Sequence, residues 1–337
     1  MGRIIEKDFL CSYDLSEEFF EKLGIEILDI QPLRKVFILK TFEGDKILKK
    51  VDYDQNKIKF IDTSLEYVDK KFKNIMKINK MSNGKNYLKW NDDFYILMDK
   101  IEGLEAIVTN PVDVEVCAMT LAKMHEASEG IIEYLNKNES MVIRGENILE
   151  KYELAKSELI EIGNFVGKYK NKNEFDKLFL ANNKYCIKQI EECIKKLKNS
   201  SYMDMISNDE NMVLCHNDLA YHNFLIENDE CSIIDFDYSS IDLRSVDIAD
   251  LILKWIKNST FSIDKGKNLI KEYMKIYALK EEEIELVKIF LSFPRDLYSI
   301  FRIYYRKEKN WEYGSYLSKL KSKLENDIYR LEFLKGF

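Results

Sequence analysis

The chain has 337 residues, 46% hydrophobic and 33% charged, with only 12 glycines and 3 prolines. That is enough apolar sequence for about two domains with cores of their own, and too little Gly and Pro for long flexible linkers. The 52 Lys+Arg against 59 Asp+Glu leave a formal net charge of -7, a field that repels nucleic acid, and no run approaches the roughly 18 uncharged apolar residues of a membrane span.

The cysteines, at positions 11, 117, 186, 193, 215 and 231, include no C-x-x-C pair. They read as small buried hydrophobes in a reducing compartment. The opening MGRIIEKDFL has no signal-peptide core, and Glu6 stands where a myristoylation signal wants Ser or Thr. The expectation is a soluble, cytoplasmic protein.

Taken in chain order, Asp14 to Gly24 predicts a short helix with acidic residues in its first turn and glycine after its last. Strand-like runs follow at Ile25 to Ile30, Lys35 to Phe42 and Lys46 to Asp52, then a helical pattern from Lys57 to Ile78. A hairpin of Tyr87 to Trp90 with Phe94 to Lys100 turns around Asn91-Asp92-Asp93. Five strands and one inserted helix predict a small α+β, nucleotide-binding lobe over residues 1–102. A hinge near Glu102-Gly103 leads into residues 103–337, a larger and mostly helical lobe. There Asn110-Pro111 is an N-cap followed by proline at the first helical position, starting a helix that runs to about Ser128. Further helical patterns lie near Glu146 to Glu161, Glu174 to Lys198, Val246 to Ile256, Ser262 to Tyr277, Glu281 to Phe301 and Trp311 to Leu334.

The chemistry concentrates in Leu214 to Asp237, LCHNDLAYHNFLIENDECSIIDFD. Two apolar-rich runs, Asn223 to Glu227 and Cys231 to Asp235, flank the turn-forming Asn228-Asp229-Glu230. Folding them together sets an amide oxygen at Asn223 beside a carboxylate at Asp235, with Asp218 on the preceding loop: hard oxygen donors suited to Mg²⁺ carrying phosphates. Spacing and residue types match a kinase catalytic loop and metal-binding strand. Asp218 would orient an acceptor hydroxyl and take its proton, Asn223 and Asp235 would hold the metal, and His216 would buttress the loop by hydrogen bonding. His222 and His125 read as packing residues, and three histidines without H-E-x-x-H or C-x-x-C spacing argue against a zinc site.

A phosphate-contacting lysine is expected on the third strand. Lys49 and Lys50 both qualify, and strand alternation favours Lys49, which shares a face with Ile47 and Val51. Its carboxylate partner is expected on the inserted helix, at Glu66, with Asp62 and Asp69 as neighbours. No glycine-rich loop stands between the first two strands: Gln31-Pro-Leu-Arg-Lys-Val36 cannot bring its backbone to phosphates as G-x-G-x-x-G does. Arg34 and Lys35 sit at that turn as a solvated tip within reach of phosphates. Asp247 is placed to cap the next helix or to bond back to the catalytic loop. Asp-Phe-Asp replaces the Asp-Phe-Gly of protein kinases, and no Ala-Pro-Glu follows.

LCHNDLAYHNFLI followed by IIDFDYSSIDLRSVDIADLI resembles the CotS family of spore coat proteins, a branch of the aminoglycoside phosphotransferase and choline kinase superfamily. Supporting pieces are Pro32 to Val36, the ILKK strand, Asp99 to Gly103, and Leu121 to Ser128. The resemblance implies a two-lobed protein-kinase-like fold and an ATP and Mg²⁺ site using Asp218, Asn223 and Asp235. It also implies synthesis in the mother-cell cytoplasm and deposition on the forming spore among other coat proteins. Two readings stand side by side: a kinase acting on a small-molecule hydroxyl, and an assembly protein using the fold as a scaffold. Acidic residues of the helical lobe favour a cationic substrate, although a charged helical surface gives the same composition.

Overall fold

The computed structural model describes residues 15–34, 36–82, 84–257 and 261–337; Lys35 and Cys11 lie outside the described residues. Helix α1 (Glu17–Leu23) starts where the Ser16 hydroxyl accepts the Phe19 N–H at 3.3 Å and ends at Gly24, whose φ of 71° favours glycine. Strands β1 (Ile27–Leu33), β2 (Val36–Thr41) and β3 (Lys46–Val51), helix α2 (Gln55–Asp69), then β4 (Leu88–Trp90) and β5 (Asp93–Asp99) follow. The strands form one antiparallel sheet in the order β1-β2-β3-β5-β4.

Alternation along the strands divides this sheet into two faces. Phe37, Leu39, Leu48, Tyr95 and Leu97 pack with Phe19 and Leu23 of α1. Val51, Ile96 and Met98 share the other core with Ile58, Ile61 and Leu65 of α2. Lys49 therefore projects from the α2 side, as the alternation predicts.

Helix α2 stops at Asp69, well short of Ile78. Beyond it Phe72, Ile75, Met76 and Ile78 are buried without helical structure, because the chain there forms bridges from Ile75 to Ile233 and from Ile78 to Met98. Their apolar spacing reflects a connector pressed between the sheet and the hairpin that turns at Asn228. After Asp99 the chain leaves the sheet, and the two-residue strand β6 (Leu104–Glu105) pairs with β8 (Phe224–Glu227). Gly103 makes the crossing at φ 134°, with its α-carbon so close that an added Cβ would lie 3.1 Å from the Ile226 carbonyl oxygen.

The large lobe contains α3 (Pro111–Ala127), capped by the Asn110 side chain on the Val112 N–H, and then α4 (Ile131–Lys137), α5 (Ile148–Gly167), α6 (Glu174–Asn199) and α7 (Tyr202–Ser207). Strand β7 (Met212–Cys215) leads into the loop that carries Asp218. Strands β8 and β9 (Glu230–Ile233) form the hairpin, and β10 (Ser240–Leu243) returns antiparallel to β7. Helices α8 (Arg244–Lys257), α9 (Ile263–Met274), α10 (Glu281–Ser292), α11 (Arg295–Tyr305) and α12 (Tyr313–Gly336) complete the chain. The helix expected over Glu281 to Phe301 is two helices: Phe293 is extended and Pro294 begins the next segment, since proline disfavours helical backbone in the residue before it. Cys117, Cys186, Cys193, Cys215 and Cys231 are all buried free thiols.

Candidate active site

One stripe of α8, residues 247, 250 and 254, runs beneath the loop that carries Asp218 and holds four consecutive residues of it. Asp247 is fully buried, and its two carboxylate oxygens accept the backbone N–H groups of His216 at 2.6 Å and Asn217 at 2.8 Å. Asp250 accepts the Leu219 N–H at 3.0 Å, and Lys254 reaches the Asp218 carboxylate at 2.5 Å. Trp255 adds an indole N–H donated to the Leu219 carbonyl at 3.2 Å. Charge-assisted bonds to buried backbone donors fix a loop far more firmly than exposed ones, so the loop is rigid around Asp218.

His216 performs the buttressing expected of it. Its Nδ1 accepts the Asp218 N–H at 3.1 Å, which leaves Nε2–H to donate to the Ile234 carbonyl at 2.9 Å, tying the loop to the strand that ends at Asp235. Its ring also lies against Phe236, centroids 4.6 Å apart. Behind Asp247 stands His125, with Nε2 3.2 Å from Asp247 and Nδ1 2.8 Å from the Tyr273 hydroxyl; burial holds its pKa below the usual range. His125, Cys215 and Asp247 form a tight buried group, and each of its ligand atoms already carries a hydrogen bond. His222 is half-buried in the turn Tyr221–Asn223, beside the Tyr221 ring.

The hairpin turns on Asn228 and Asp229, both at positive φ, which is the two-residue geometry that suits a right-twisted pair. Past the last ladder pair, the Ile234 N–H donates to the Asn223 carbonyl at 3.0 Å, which sets Asn223 next to the start of Ile234-Asp235. Asn223 is buried and donates its amide to the Asp218 carbonyl at 2.8 Å, leaving its Oδ1 as the acceptor end. Asp235 adopts φ 70°, and Asn217 φ 63°. Left-handed backbone in non-glycine residues is uncommon and concentrates at functional sites held by their surroundings.

Lys49 spans the two lobes. Its Nζ lies 2.6 Å from Asp235 and 2.7 Å from Asp237, and the Tyr53 hydroxyl donates to Asp237 at 2.9 Å. Burial opposes the charge on Lys49, but Asp237 and Asp235 outweigh it and raise its pKa. Burial likewise opposes the Asp235 carboxylate, and Lys49 reverses the balance and lowers its pKa. Lys57 donates to the Ser239 carbonyl from the same side, and burial lowers its pKa to about 8. Lys50 points the other way, to Asp93 at 2.6 Å.

Glu66 does not partner Lys49; the lysine's carboxylates come from Asp235 and Asp237, and Glu66 is exposed. The buried stripe of α2 runs through Ile58, Ile61, Leu65 and Val68, and Glu66 lies off it. Asp62 bonds to Asn86 at 2.9 Å, and burial raises its pKa to about 6; Asp69 pairs with Lys73 and Lys77. At the sheet tip, Leu33 pairs with Val36 across a two-residue turn, and Arg34 reaches Glu105 of β6 at 2.7 Å. Asp237, Tyr53, Asp250 and Lys254 were not singled out from the sequence. Asp250 and Lys254 fall three and seven residues after Asp247, a helical spacing that a helix starting near Val246 already contained.

A five-stranded sheet with one inserted helix, above a helical lobe that carries an Asp loop and an Asn/Asp hairpin, is the architecture of protein-kinase-like phosphotransferases. Solved structures agree. An aminoglycoside phosphotransferase from Alicyclobacillus acidocaldarius superposes with a TM-score of 0.82 over 95% of this chain and 94% of that one, at 16% identity. AMP-bound spectinomycin phosphotransferase APH(9)-Ia follows at 0.67, over 96% and 97%, at 16% identity. Amicoumacin kinase hAmiN, in complex with AMP-PNP, Ca²⁺ and Ami, gives 0.63 over 98% and 96%, at 13% identity. The chain belongs to the family described as "Spore coat putative kinase YutH", whose model matches residues 45–337. It is also 25% identical over 303 residues to spore coat protein S of Bacillus subtilis (strain 168), covering 86% of this chain and 85% of that protein. Among the described residues, no helix is long and apolar enough to cross a membrane.

Proposed function

We propose that this spore coat family member is an ATP-dependent phosphoryl transferase acting on a hydroxyl of a small molecule, with Asp218 as general base. The observation that carries the reading is the framework of buried bonds from α8 and His216, which holds Asp218, Asn223 and Asp235 on one rigid unit. A fold kept only as a shell would not need that unit. Nucleotides in the related spectinomycin and amicoumacin kinases support an ATP site here.

The Asn223 amide oxygen and the Asp235 carboxylate form a hard-oxygen pair that fits Mg²⁺, which when bound supplies charge neutralisation across the phosphates. Lys49, between Asp235 and Asp237, is the cation available to the α- and β-phosphates. Asp218 accepts the proton of the acceptor hydroxyl as its oxygen bonds to the γ-phosphorus, and the bond from that phosphorus to the bridging oxygen breaks, releasing ADP.

A scaffold role is favoured by a different observation. Lys49 is saturated by two carboxylates, and the sequence between β1 and β2, where Leu33 pairs with Val36, carries no glycine-rich phosphate loop. A thermal-shift titration with ATP and Mg²⁺ separates the readings. At 100 times its dissociation constant, a ligand adds about 2.7 kcal/mol of stability. That shift is expected in the wild type and lost in Asp235→Ala. Asp218→Ala should keep the shift and lose roughly 10²–10⁴-fold in γ-phosphoryl transfer. No shift in the wild type leaves the scaffold.

A further inference from the structure

Lys254 gives the catalytic carboxylate a cationic neighbour that metal binding and proton abstraction do not use. Its Nζ lies 2.5 Å from Asp218 Oδ1 and 2.8 Å from Asp250 Oδ2, while Arg295 Nη1 lies 2.9 Å from Asp250 Oδ1. Next along the same side of α8, Lys257 pairs with Asp296 at 2.8 Å, and Lys323 approaches the same carboxylate at 3.5 Å. The acids of this shelf are already committed. Asp250 carries Lys254, Arg295 and the Leu219 N–H, and Asp296 carries two lysines.

At the centre of the shelf the cations are more exposed than the acid that holds them, while Asp218 and Lys254 are exposed alike, at 29% and 28%. The Arg295 side chain is 46% exposed and that of Lys254 28%, against 6% for Asp250. An acceptor bearing an ammonium group would meet Arg295 and Lys254 where Asp250 and Asp296 are already paired, and such like-charge juxtaposition works against a partner. A carboxylate or phosphate on the acceptor would meet the remaining N–H donors of a planar guanidinium and a lysine beside it.

We propose that Arg295 and Lys254 form an anion-binding wall beside Asp218, so that the acceptor is a hydroxyl compound carrying a carboxylate or phosphate. This rests on reading Asp218 as the base. The sequence left the acceptor open, since a charged helical surface has the same acidic composition as a cation site; here Asp250 and Asp296 serve to hold the cations in place.

Calorimetric titration of the full chain with glycerol 3-phosphate, glycerate and ethanolamine tests it, using wild type, Arg295→Gln and Arg295→Lys. The wild type should bind at least one of the two anions and not ethanolamine. Arg295→Gln should weaken anion binding about tenfold, the ratio expected for one lost charge-assisted hydrogen bond. Arg295→Lys, which keeps the charge and loses the fork, should weaken it less, and it carries the same test if the glutamine variant does not fold. Ethanolamine binding tighter than either anion, no binding of both anions, or anion affinity unchanged in both variants overturns the proposal. The ATP shift of the wild type is measured alongside. Anion binding without an ATP shift would sink the phosphoryl-transfer reading and leave the wall, and an ATP shift without anion binding would do the reverse.

Discussion

At the scale of single residues, Asp242 shows how the buried network constrains pH. It sits on β10 beneath Gly145, where an added Cβ would lie 1.9 Å from its Oδ2, so only glycine leaves the carboxyl room. Burial raises its pKa to about 7; the Leu243 N–H pulls it back and nearby Asp247 adds to the rise. The unfolded carboxyl titrates near 4, as any model aspartate does. The folded state therefore holds the proton more tightly. Its contribution to stability is fully present below about pH 4 and lost as pH rises through about 7. Asp242→Asn should accordingly melt above the wild type at pH 8, by at most about 4 kcal/mol, with the gap closing by pH 4. Equal melting curves at pH 8 would refute this. The side of the sheet from which Lys49 projects was legible because a strand has a period of two. The lysine's partners were not, since Asp235 and Asp237 reach it from 186 and 188 positions away, and only the folded lobes bring them together.

At the scale of elements, the hairpins and most long helices were legible from caps and periodicity, the overrun past Asp69 and the break at Phe293-Pro294 excepted. Asn110-Pro111 starts α3 as read, and the Asn173 side chain and Asp176 make a capping box at the start of α6. Short pieces such as β6, β7, β10 and α7 were not, because two to six residues carry too little pattern to read. Helix α8 was placed correctly, but its task emerges only in three dimensions. Asp247→Ala would leave two buried backbone N–H groups and His125 without their acceptor, costing about 3 kcal/mol or more in chemical denaturation. Amide exchange at residues 216–219 should rise with it. A loss under 1 kcal/mol would mean the loop is anchored elsewhere.

At the scale of the whole molecule, the lobes share one apolar core, in which Ile58, Leu65, Ile96 and Met98 pack with Leu121, Leu135, Phe224 and Ile233, and ionic and backbone links reinforce it: Lys49 to Asp235 and Asp237, Tyr53 to Asp237, Lys57 to the Ser239 carbonyl, Arg34 to Glu105, and the Ile75–Ile233 bridge. Lys49→Met removes the most buried of the ionic links and leaves two carboxylates facing each other. Hydrogen exchange at residues 235–239 should then quicken while the α5 and α6 core stays protected; unchanged protection at 235–239 would show that the lysine is not what holds the lobes there. The pairing of Lys49 carries a consequence for any nucleotide that binds here. On the proposed reading the triphosphate would be met by the Lys49 side chain, since no glycine-rich loop stands between β1 and β2. That side chain is 14% exposed, and salt screens a buried charge much less than one that reaches into solvent. A nucleotide would compete with Asp235 and Asp237 for the lysine, so its affinity would follow the breaking of those two pairs and change little with the ionic strength of the medium.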